Sequence, residues 1–446
     1  MTAPASNAQP PTSKLRDLAA VALLAALVLM FFWRIITPRM EDRAAFPPGD
    51  FTDQFWAFRM YEARAFAQGR LPLWSENFNS GHPFLADVQS AVFYPVSLIW
   101  TLAVVALRGA NFSLLDLERE AIFHFILAGA FTYLLARRLI SSRVAALVSA
   151  VTFTFGGYLT SYPPQQLAIL ETATWLPLAL LLFDLAVERG TRYYIAAGVV
   201  LGIAALAGHP QTFLFVLYAC AIYFVSRVVA VPSAHSYGGW RENPSSVLRL
   251  ASFVRFCLLP FAFSLVIAAG IAAAQWLPSL EYMSVSTRQA IGWAEASRGF
   301  PTIDPLQMIL PGFTSAFQSP LYIGILPLWL AALALFVNRS REKIFWAALA
   351  LGSLLVAFGA YAFAYALFYL LAPGFAVFRD QERLALVVSL ALAILAGYGF
   401  RDLMLPALDW KRTRRAWALL PAGITISTMM MFALYVAGAQ RASGRL

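Results

Sequence analysis

Long apolar stretches alternate with polar connections through most of the chain, and this pattern predicts a bundle of membrane-spanning helices. A helix that crosses a bilayer needs about 20 mostly apolar residues. On that criterion the candidate spans are 18–36, 91–107, 120–136, 144–161, 167–187, 193–208, 211–230, 256–276, 321–337, 344–360, 384–400 and 416–437. A shorter apolar piece, 361–372, lies between two of them. We therefore predict an all-α polytopic membrane protein.

The segment 91–107 decides the predicted topology. If it does not cross the membrane and the N-terminus is cytoplasmic, the inner connections carry most of the Arg and Lys residues, as the positive-inside rule requires. If it crosses, the basic clusters that follow face outward. We therefore predict that 91–107 is re-entrant or interfacial. This leaves about 11 transmembrane helices, a cytoplasmic tail over 1–17 and a single membrane domain over 18–446.

Under this topology, three segments that are far apart in sequence face the same outer compartment. They are a large first outer loop, 37–119, with interfacial helices, and the further outer loops 277–320 and 361–383. Most of the carboxylates of the chain lie on this side or at its mouth. The first loop is also polar, aromatic and interrupted by Pro and Gly, which a lipid-embedded scaffold does not need. We expect the functional site here.

Composition agrees with a membrane protein and removes one class of partner. The chain is 60% apolar and 13% charged, whereas about a quarter of the residues of a soluble domain are charged. The net charge of +10 would suggest nucleic acid in a soluble protein. Here most Arg and Lys residues flank apolar segments, so topology accounts for them and we expect no nucleic-acid partner. Cys220 and Cys257 lie in apolar runs and imply no disulfide framework.

Two aspartates just beyond the first span are the leading catalytic candidates. An outward carboxylate at Asp50 or Asp53 could take a proton from an acceptor hydroxyl, and partial desolvation would make it a stronger base. The alternative for Asp50 is an N-cap of the helix that follows, and the residues alone favour neither. The two carboxylates could also contribute to a magnesium site. Because the four histidines are scattered, we assign no metal site.

Other outer residues allow both a functional and a structural interpretation. Trp74 could stack on a sugar ring or anchor the chain at the interface. His82 could be a ligand, although a loop histidine more often forms hydrogen bonds, and Glu281 could be a second acid or a solvated side chain. Glu171 and Gln275 would be costly facing lipid, so we expect them to line a cavity.

Arginines at the outer surface are candidates for binding phosphate. Arg379 and Arg383, four residues apart, would share one helix face, and two guanidinium groups suit a phosphate or diphosphate. The alternative is internal pairing of Arg379 with Glu382 or of Arg383 with Asp380. Arg288 is a further phosphate candidate, or a solvated loop residue.

Short motifs recur in a set order from Gly49 to about Arg401. Those of the first outer loop are Gly49-Asp50, Gln54, Gly69-Arg70-Leu71-Pro72-Leu73-Trp74, Gly81-His82-Pro83, Gln89 and Tyr94-Pro95. Those beyond it are Ala136-Arg137-Arg138, Trp175 with Pro177, Gly208-His209-Pro210-Gln211, Pro278 with Glu281, Ser286 with Arg288, and Phe378-Arg379 with Arg383. Together they resemble the motifs of the YfhO family of bacterial membrane proteins.

That family looks like a branch of the GT-C glycosyltransferases, which take a sugar from a polyprenyl-phosphate donor on the outer face of the membrane. The resemblance implies a GT-C-like helical bundle in the bacterial inner (cytoplasmic) membrane, with its active site on the periplasmic or extracellular side. It implies that Asp50, with Asp53 as the neighbouring candidate, is the base or positions the acceptor. It also implies that the donor phosphate is bound by Arg288, Arg379 and Arg383. The residues expected to line the substrate are Gln54, Trp74, His82, Asp87, His209 and Glu281.

The resemblance leaves the acceptor open among an envelope glycan, teichoic acid, a lipid and a protein. Many members of the family are longer, so the chain is either a short member or a fragment. The alternative function is a transporter or flippase of a lipid-linked saccharide, which would call for ionisable groups near the middle of the bilayer. A catalytically inactive assembly partner is the third interpretation.

Overall fold

The computed structural model describes residues 11–77, 80–230, 258–286, 291–312 and 319–405, with a few positions beyond 420. The longer helices are α1 Pro11–Phe31, α2 Ala57–Ala67, α3 Pro95–Arg108, α4 Leu114–Ile140, α5 Arg143–Phe155, α6 Leu167–Ala173, α7 Leu176–Arg189, α8 Thr191–Leu206, α9 Pro210–Ala230, α10 Leu259–Ser284, α11 Ile325–Val337, α12 Arg341–Ala357, α13 Phe363–Leu371 and α14 Ala385–Leu403.

Short helical turns connect these helices. They are Trp33–Ile36, Met40–Asp42, Phe51–Trp56 in a π-helical conformation, Phe84–Ala86, Val88–Ser90, Gly157–Thr160, Tyr162–Gln165, Trp293–Ala296, Asp304–Met308, Gly359–Tyr361, Phe375–Val377 and Gln381–Leu384. The described residues contain no β-strand, and a single antiparallel bridge joins Ser75 to His82. The all-α prediction is confirmed for this part of the chain.

Six helices of the described ranges are long and apolar enough to cross a membrane, as expected of a membrane-embedded protein. They run over Leu114–Ile140, Arg143–Thr160, Leu167–Arg189, Pro210–Val229, Leu259–Ser284 and Gln381–Leu403. Several other predicted spans form apolar helices too short for this criterion. Among these is the candidate 91–107, which forms α3; its 14 residues reach only about 21 Å. The predicted span 416–437 lies almost wholly outside the described residues.

The buried centre of the bundle is α14, which packs against α5, α11 and α12. Its residues are apolar on nearly every side, from Ala385 to Tyr398, and nearly all of them are buried. A helix that is apolar all round belongs in the interior, where neighbouring helices cover each face. By contrast, α10 leaves Leu259, Val266 and Leu277 exposed, as a lipid-facing helix would.

Ion pairs join helix ends at one end of the bundle, here called the ion-pair end. Asp17 of α1 lies 2.8 Å from Arg143 and 3.4 Å from Arg137. Arg138 and Arg227 both contact Asp184, at 2.8 and 2.6 Å, and the buried Lys343 pairs with Asp402. Because successive helices run in opposite directions, the connections at their other ends lie together. We call that opposite end, with residues 37–113, 291–312 and 359–384, the loop end.

Candidate functional site

Asp50 stands at the loop end, directly before the π-helical turn that continues into α2. Its side chain is exposed and makes no capping hydrogen bond to that turn. Instead, Gln166, the residue before α6, donates a hydrogen bond from its amide to the Asp50 carboxylate. The capping interpretation of Asp50 is therefore not what the structure shows. The carboxylate is exposed to solvent and is oriented by a neutral amide.

The neighbouring predicted residues make contacts within the polar segment that lies between α1 and α3, residues 37–77 and 80–94, here called the first polar segment. Asp53 is exposed, and its carboxylate accepts a hydrogen bond from the Thr52 hydroxyl at 2.8 Å. Gln54 lies one turn after Asp50 and donates from its side chain to the Gln89 side chain at 3.0 Å. This amide pair ties the start of the helix to the end of the same polar segment.

His82 and Asp87 hold the polar segment in shape. The His82 Nε2 atom lies 3.1 Å from Asp87 Oδ2, while Asp87 Oδ1 accepts the Gln89 backbone N–H at 2.9 Å. Both contacts are within one segment, so these side chains serve its local fold. Trp74 is 56% exposed and its ring lies over Gly81, where a Cβ atom would come within 2.7 Å of the indole. The ring can keep this exposed position only if residue 81 is glycine.

The turn between α8 and α9 connects the first polar segment to the segment before α14. Gly208 has φ +87°, and a Cβ atom there would meet the Val88 carbonyl oxygen at 2.9 Å, so only glycine allows this close approach. His209 is buried and accepts the Thr212 N–H and hydroxyl at its Nδ1, at 3.1 and 2.8 Å. The His209 side chain therefore caps the N-terminal end of α9. Gln211 then donates to the Arg379 carbonyl oxygen at 2.5 Å.

Arg379 and Arg383 do not share a helix face, because the backbone between them is not α-helical. Asp380 has φ +63° and the helical turn begins only at Gln381. Arg383 is mostly buried and lies 3.4 Å from Asp380, so the internal pair predicted as the alternative does form. Arg379 is 46% exposed and contacts Glu295 at 3.0 Å and Asp380 at 3.5 Å, not Glu382.

Arg298, which sequence reasoning missed, is a third guanidinium on the same aspartate, at 3.2 Å from Asp380 Oδ1. Three arginines thus lie around the acids Asp380 and Glu295, and the adjoining Glu382 is a third acid, so the formal charges balance. Arg379 and Arg298 are about half exposed, so an anion could reach them. Of the other predicted residues, Glu281 is exposed on the last turn of α10 and not in a loop. Arg288 lies outside the described residues.

Gln275 of α10 is buried, and its amide contacts protein atoms. It donates to the carbonyl oxygens of Leu85 and Asp87, at 2.5 and 3.2 Å. We expect Gln275→Ala to lower the free energy of unfolding by about 1–3 kcal/mol, because it leaves two buried carbonyls without this donor. Limited proteolysis should then cut the first polar segment faster. The control Ser279→Ala removes only a bond within α10; equal cleavage of the two variants would contradict the anchoring role.

A buried cluster of charges, which we call the acid cluster, lies behind this surface. It consists of Arg59 and Glu62 of α2, Ser97 of α3, Glu120 of α4 and Glu171 of α6, each at most 3% exposed. Arg59 Nη1 donates to both Glu62 oxygens at 3.1 Å. Its Nη2 lies 3.7 Å from Glu120 Oε1 and 3.6 Å from Glu171 Oε1. Burial raises the pKa of Glu62 to about 7, with Glu120 adding to the rise and Arg59 opposing it.

A second buried chain of hydrogen bonds adjoins the acid cluster. Trp175 donates from its indole to the Tyr94 hydroxyl at 3.0 Å, and Tyr94 lies 2.8 Å from His124 Nε2. His124 Nδ1 lies 2.8 Å from the Glu120 carbonyl oxygen. Because that carbonyl only accepts, His124 donates from Nδ1, and a neutral ring then accepts the Tyr94 hydroxyl proton at Nε2. Burial raises the pKa of Tyr94 well above its ordinary value, with Glu171 adding to the rise.

The sequence indicates part of this cluster, because the cost of facing lipid applies to Glu120 as it does to Glu171. Carboxylates within apolar, membrane-spanning stretches are costly unless they have partners inside the protein. Glu120 and Glu171 are such residues, and their basic partner, Arg59, comes from the first polar segment. Glu171 lines no open cavity, contrary to expectation; it lies against protein atoms. Among the residues described, no group of three or more His, Cys, Asp or Glu side chains is placed to hold a metal ion.

No protein-family model matches this chain, and no curated protein matches it either. The functional proposal therefore rests on the features of the structure itself. These are an all-α bundle with apolar helices long enough to cross a membrane, and a polar end at which Asp50, the two arginines Arg298 and Arg379, and an exposed tryptophan are available.

Proposed function

We propose that the chain is a membrane glycosyltransferase of the GT-C type, related to the YfhO family, that uses a polyprenyl-phosphate sugar as donor. The observation that carries the proposal is the exposure of Asp50 together with its contacts. Its carboxylate is exposed, is not used as a helix cap and is oriented by Gln166. A general base needs an accessible carboxylate held in one direction.

In the proposed reaction, an acceptor hydroxyl attacks the anomeric carbon of the sugar while Asp50 takes its proton. The bond between that carbon and the phosphate oxygen breaks, and the polyprenyl phosphate leaves with the bonding electrons. Charge that develops on the leaving phosphate is stabilised by guanidinium groups, a large contribution in reactions of this kind. Arg379 and Arg298 are the exposed candidates for that role, while Arg383 supports them through Asp380.

The proposed location is the bacterial cytoplasmic membrane, with the loop end on the outer side. The ion-pair end carries Arg137, Arg138 and Arg143, as a cytoplasmic face requires. Labelling a cysteine at position 50, in a chain without Cys220 and Cys257, should succeed with an impermeant reagent added outside the cell. Labelling only after the membrane is opened would overturn the orientation.

The direct test is a transfer assay in liposomes that contain the purified protein. Wild-type protein should move radiolabelled sugar from a polyprenyl-phosphate donor to an envelope acceptor supplied on the outer side. The acceptors to be compared are a glycan, teichoic acid, a lipid and a protein. Failure with every donor and acceptor would reject the enzyme.

A transporter or flippase of a lipid-linked saccharide is the second candidate. The observation that favours it is the pair of carboxylates, Glu120 and Glu171, inside helices long enough to span the membrane. Intramembrane ionisable residues often belong to transport pathways. The same liposomes test this: movement of labelled lipid between leaflets, with no sugar transfer, would establish the transporter.

A further inference from the structure

The acid cluster holds more acidic groups than one guanidinium can balance. Three carboxylates, Glu62, Glu120 and Glu171, surround Arg59, and all four side chains are at most 2% exposed. If all ionised, the cluster would carry a net charge of −2, shielded from water. An uncompensated buried charge is so costly that the group takes up a proton instead. Charge balance alone therefore requires bound protons.

The geometry shows where one proton lies. The Ser97 hydroxyl contacts Oε1 of Glu120 and lies 3.1 Å from Oε1 of Glu171. Arg59 Nη2 faces the same two oxygens. Two carboxylates brought together on shared donors cannot both ionise, because each disfavours the charge on the other. A single hydroxyl proton cannot satisfy both oxygens, so a further proton is shared between Glu120 and Glu171.

An independent observation also indicates a missing ligand. The second oxygen of Glu120, Oε2, is buried and has no hydrogen-bond partner within the described part of the chain. A fully charged carboxylate would need a donor there, whereas a carboxyl that carries or shares a proton needs fewer. The orphaned oxygen thus agrees with a protonated pair.

Within the described ranges, no other group around the cluster supplies a positive charge. Arg59 and Glu62 face it from α2, Ser97 from α3, Glu120 and His124 from α4, and Glu171 from α6, while Tyr94 adjoins it before α3. His124 donates to the Glu120 carbonyl and, as a neutral ring, accepts from Tyr94. Tyr94 is a neutral phenol.

We propose that the acid cluster is a proton-binding site that fastens α2 to α3, α4 and α6, and that loss of its protons loosens this attachment. The ligand is the proton itself. The pKa of Glu62 is raised from its ordinary 4.5 to about 7, so this carboxyl titrates in the physiological range.

The position of the cluster connects it to Asp50. The helix that carries Glu62 is the continuation of the turn that Asp50 begins, and the helix that carries Glu171 begins just after Gln166. Both members of the Asp50–Gln166 hydrogen bond therefore stand at the start of helices joined by the cluster. The effect on catalysis rests on the proposed function, whereas the proton site itself does not.

Stability should depend on pH in a definite direction. A carboxyl whose pKa is higher in the folded chain than in the unfolded chain holds its proton better when folded. Its contribution to stability is fully present below about pH 4.5 and is lost as the pH rises through about 7. We therefore expect the thermal unfolding temperature of the wild type in detergent to decrease as the pH is raised from 6 to 8, a range that flanks the pKa of Glu62.

The test combines that titration with infrared spectroscopy, which detects the C=O stretch of a protonated carboxyl. In the wild type this band should be present at low pH, shift in deuterated water and weaken as the pH rises through about 7. Glu62→Gln should remove its titrating part and flatten the pH dependence of the unfolding midpoint. The control Glu41→Gln changes an exposed glutamate and should alter neither.

Other outcomes are equally decisive. A wild type without a protonated-carboxyl band anywhere between pH 5 and 8, the range around the Glu62 pKa of about 7, would overturn the proposal. If Glu62→Gln fails to fold, Glu171→Gln, which keeps the Arg59–Glu62 pair, should remove the band of the shared proton. A band unchanged in every folded variant would also overturn it. Because infrared absorption does not depend on sugar transfer, these results stand whether or not the chain is a glycosyltransferase.

Discussion

Arg59→Ala should lower the free energy of unfolding by about 3–5 kcal/mol, the cost of removing one partner from a buried ion pair. Arg59 is the guanidinium that Glu62, Glu120 and Glu171 all face. Without it, the carboxylates must either stay ionised and unpaired or take up further protons. The loss should therefore be larger at pH 8 than at pH 6. Denaturant titration in detergent micelles, at both pH values, measures this.

Arg64→Ala is the matched control, because Arg64 is an exposed arginine on the same helix. A surface change of this kind is expected to stay within about 0.5 kcal/mol of the wild type. The double variant Arg59→Met with Glu62→Gln should recover part of the loss, since it removes a charge of each sign. Equal stability of Arg59→Ala and Arg64→Ala would show that the buried charges contribute nothing to the fold.

Asp50→Asn should abolish sugar transfer while leaving donor binding intact. General-base catalysis contributes about 10²–10⁴-fold to the rate, and an amide cannot accept the proton of the acceptor hydroxyl. The substitution keeps the shape of the side chain and its contact with Gln166, so the α2 segment should remain in place. Single-turnover transfer from a radiolabelled polyprenyl-phosphate sugar measures the chemical step, and a filter-binding assay measures donor affinity.

Asp53→Asn is the comparison that separates the two candidate bases. The Asp53 carboxylate accepts from Thr52, whereas Asp50 is oriented by Gln166, the residue before α6. We expect Asp53→Asn to keep most of the transfer rate, and Gln166→Ala to lower the rate without changing donor affinity. A dead Asp53→Asn beside an active Asp50→Asn would move the base to Asp53. Activity in both variants would reject a carboxylate base in this segment.

The arginine cluster shows why residue spacing alone misplaced Arg379 and Arg383 relative to each other. Residue spacing predicted that Arg379 and Arg383 would lie on one helix face, which holds only if the backbone is helical between them. Asp380 adopts a left-handed conformation instead, and its carboxylate contacts Arg298 from a distant segment. That contact is tertiary, so no local pattern contains it.

The sequence by itself determined that the chain is helical and apolar enough for a membrane, because long apolar runs specify buried or lipid-facing helices whatever their neighbours are. It also singled out the first polar segment, because membrane-spanning helices must be mostly apolar and this segment carries charged residues. Only the tertiary structure decided which charges meet. Arg59, Glu120 and Glu171 lie on three helices, and their contact depends on helix packing, which residue type and spacing along one helix do not encode.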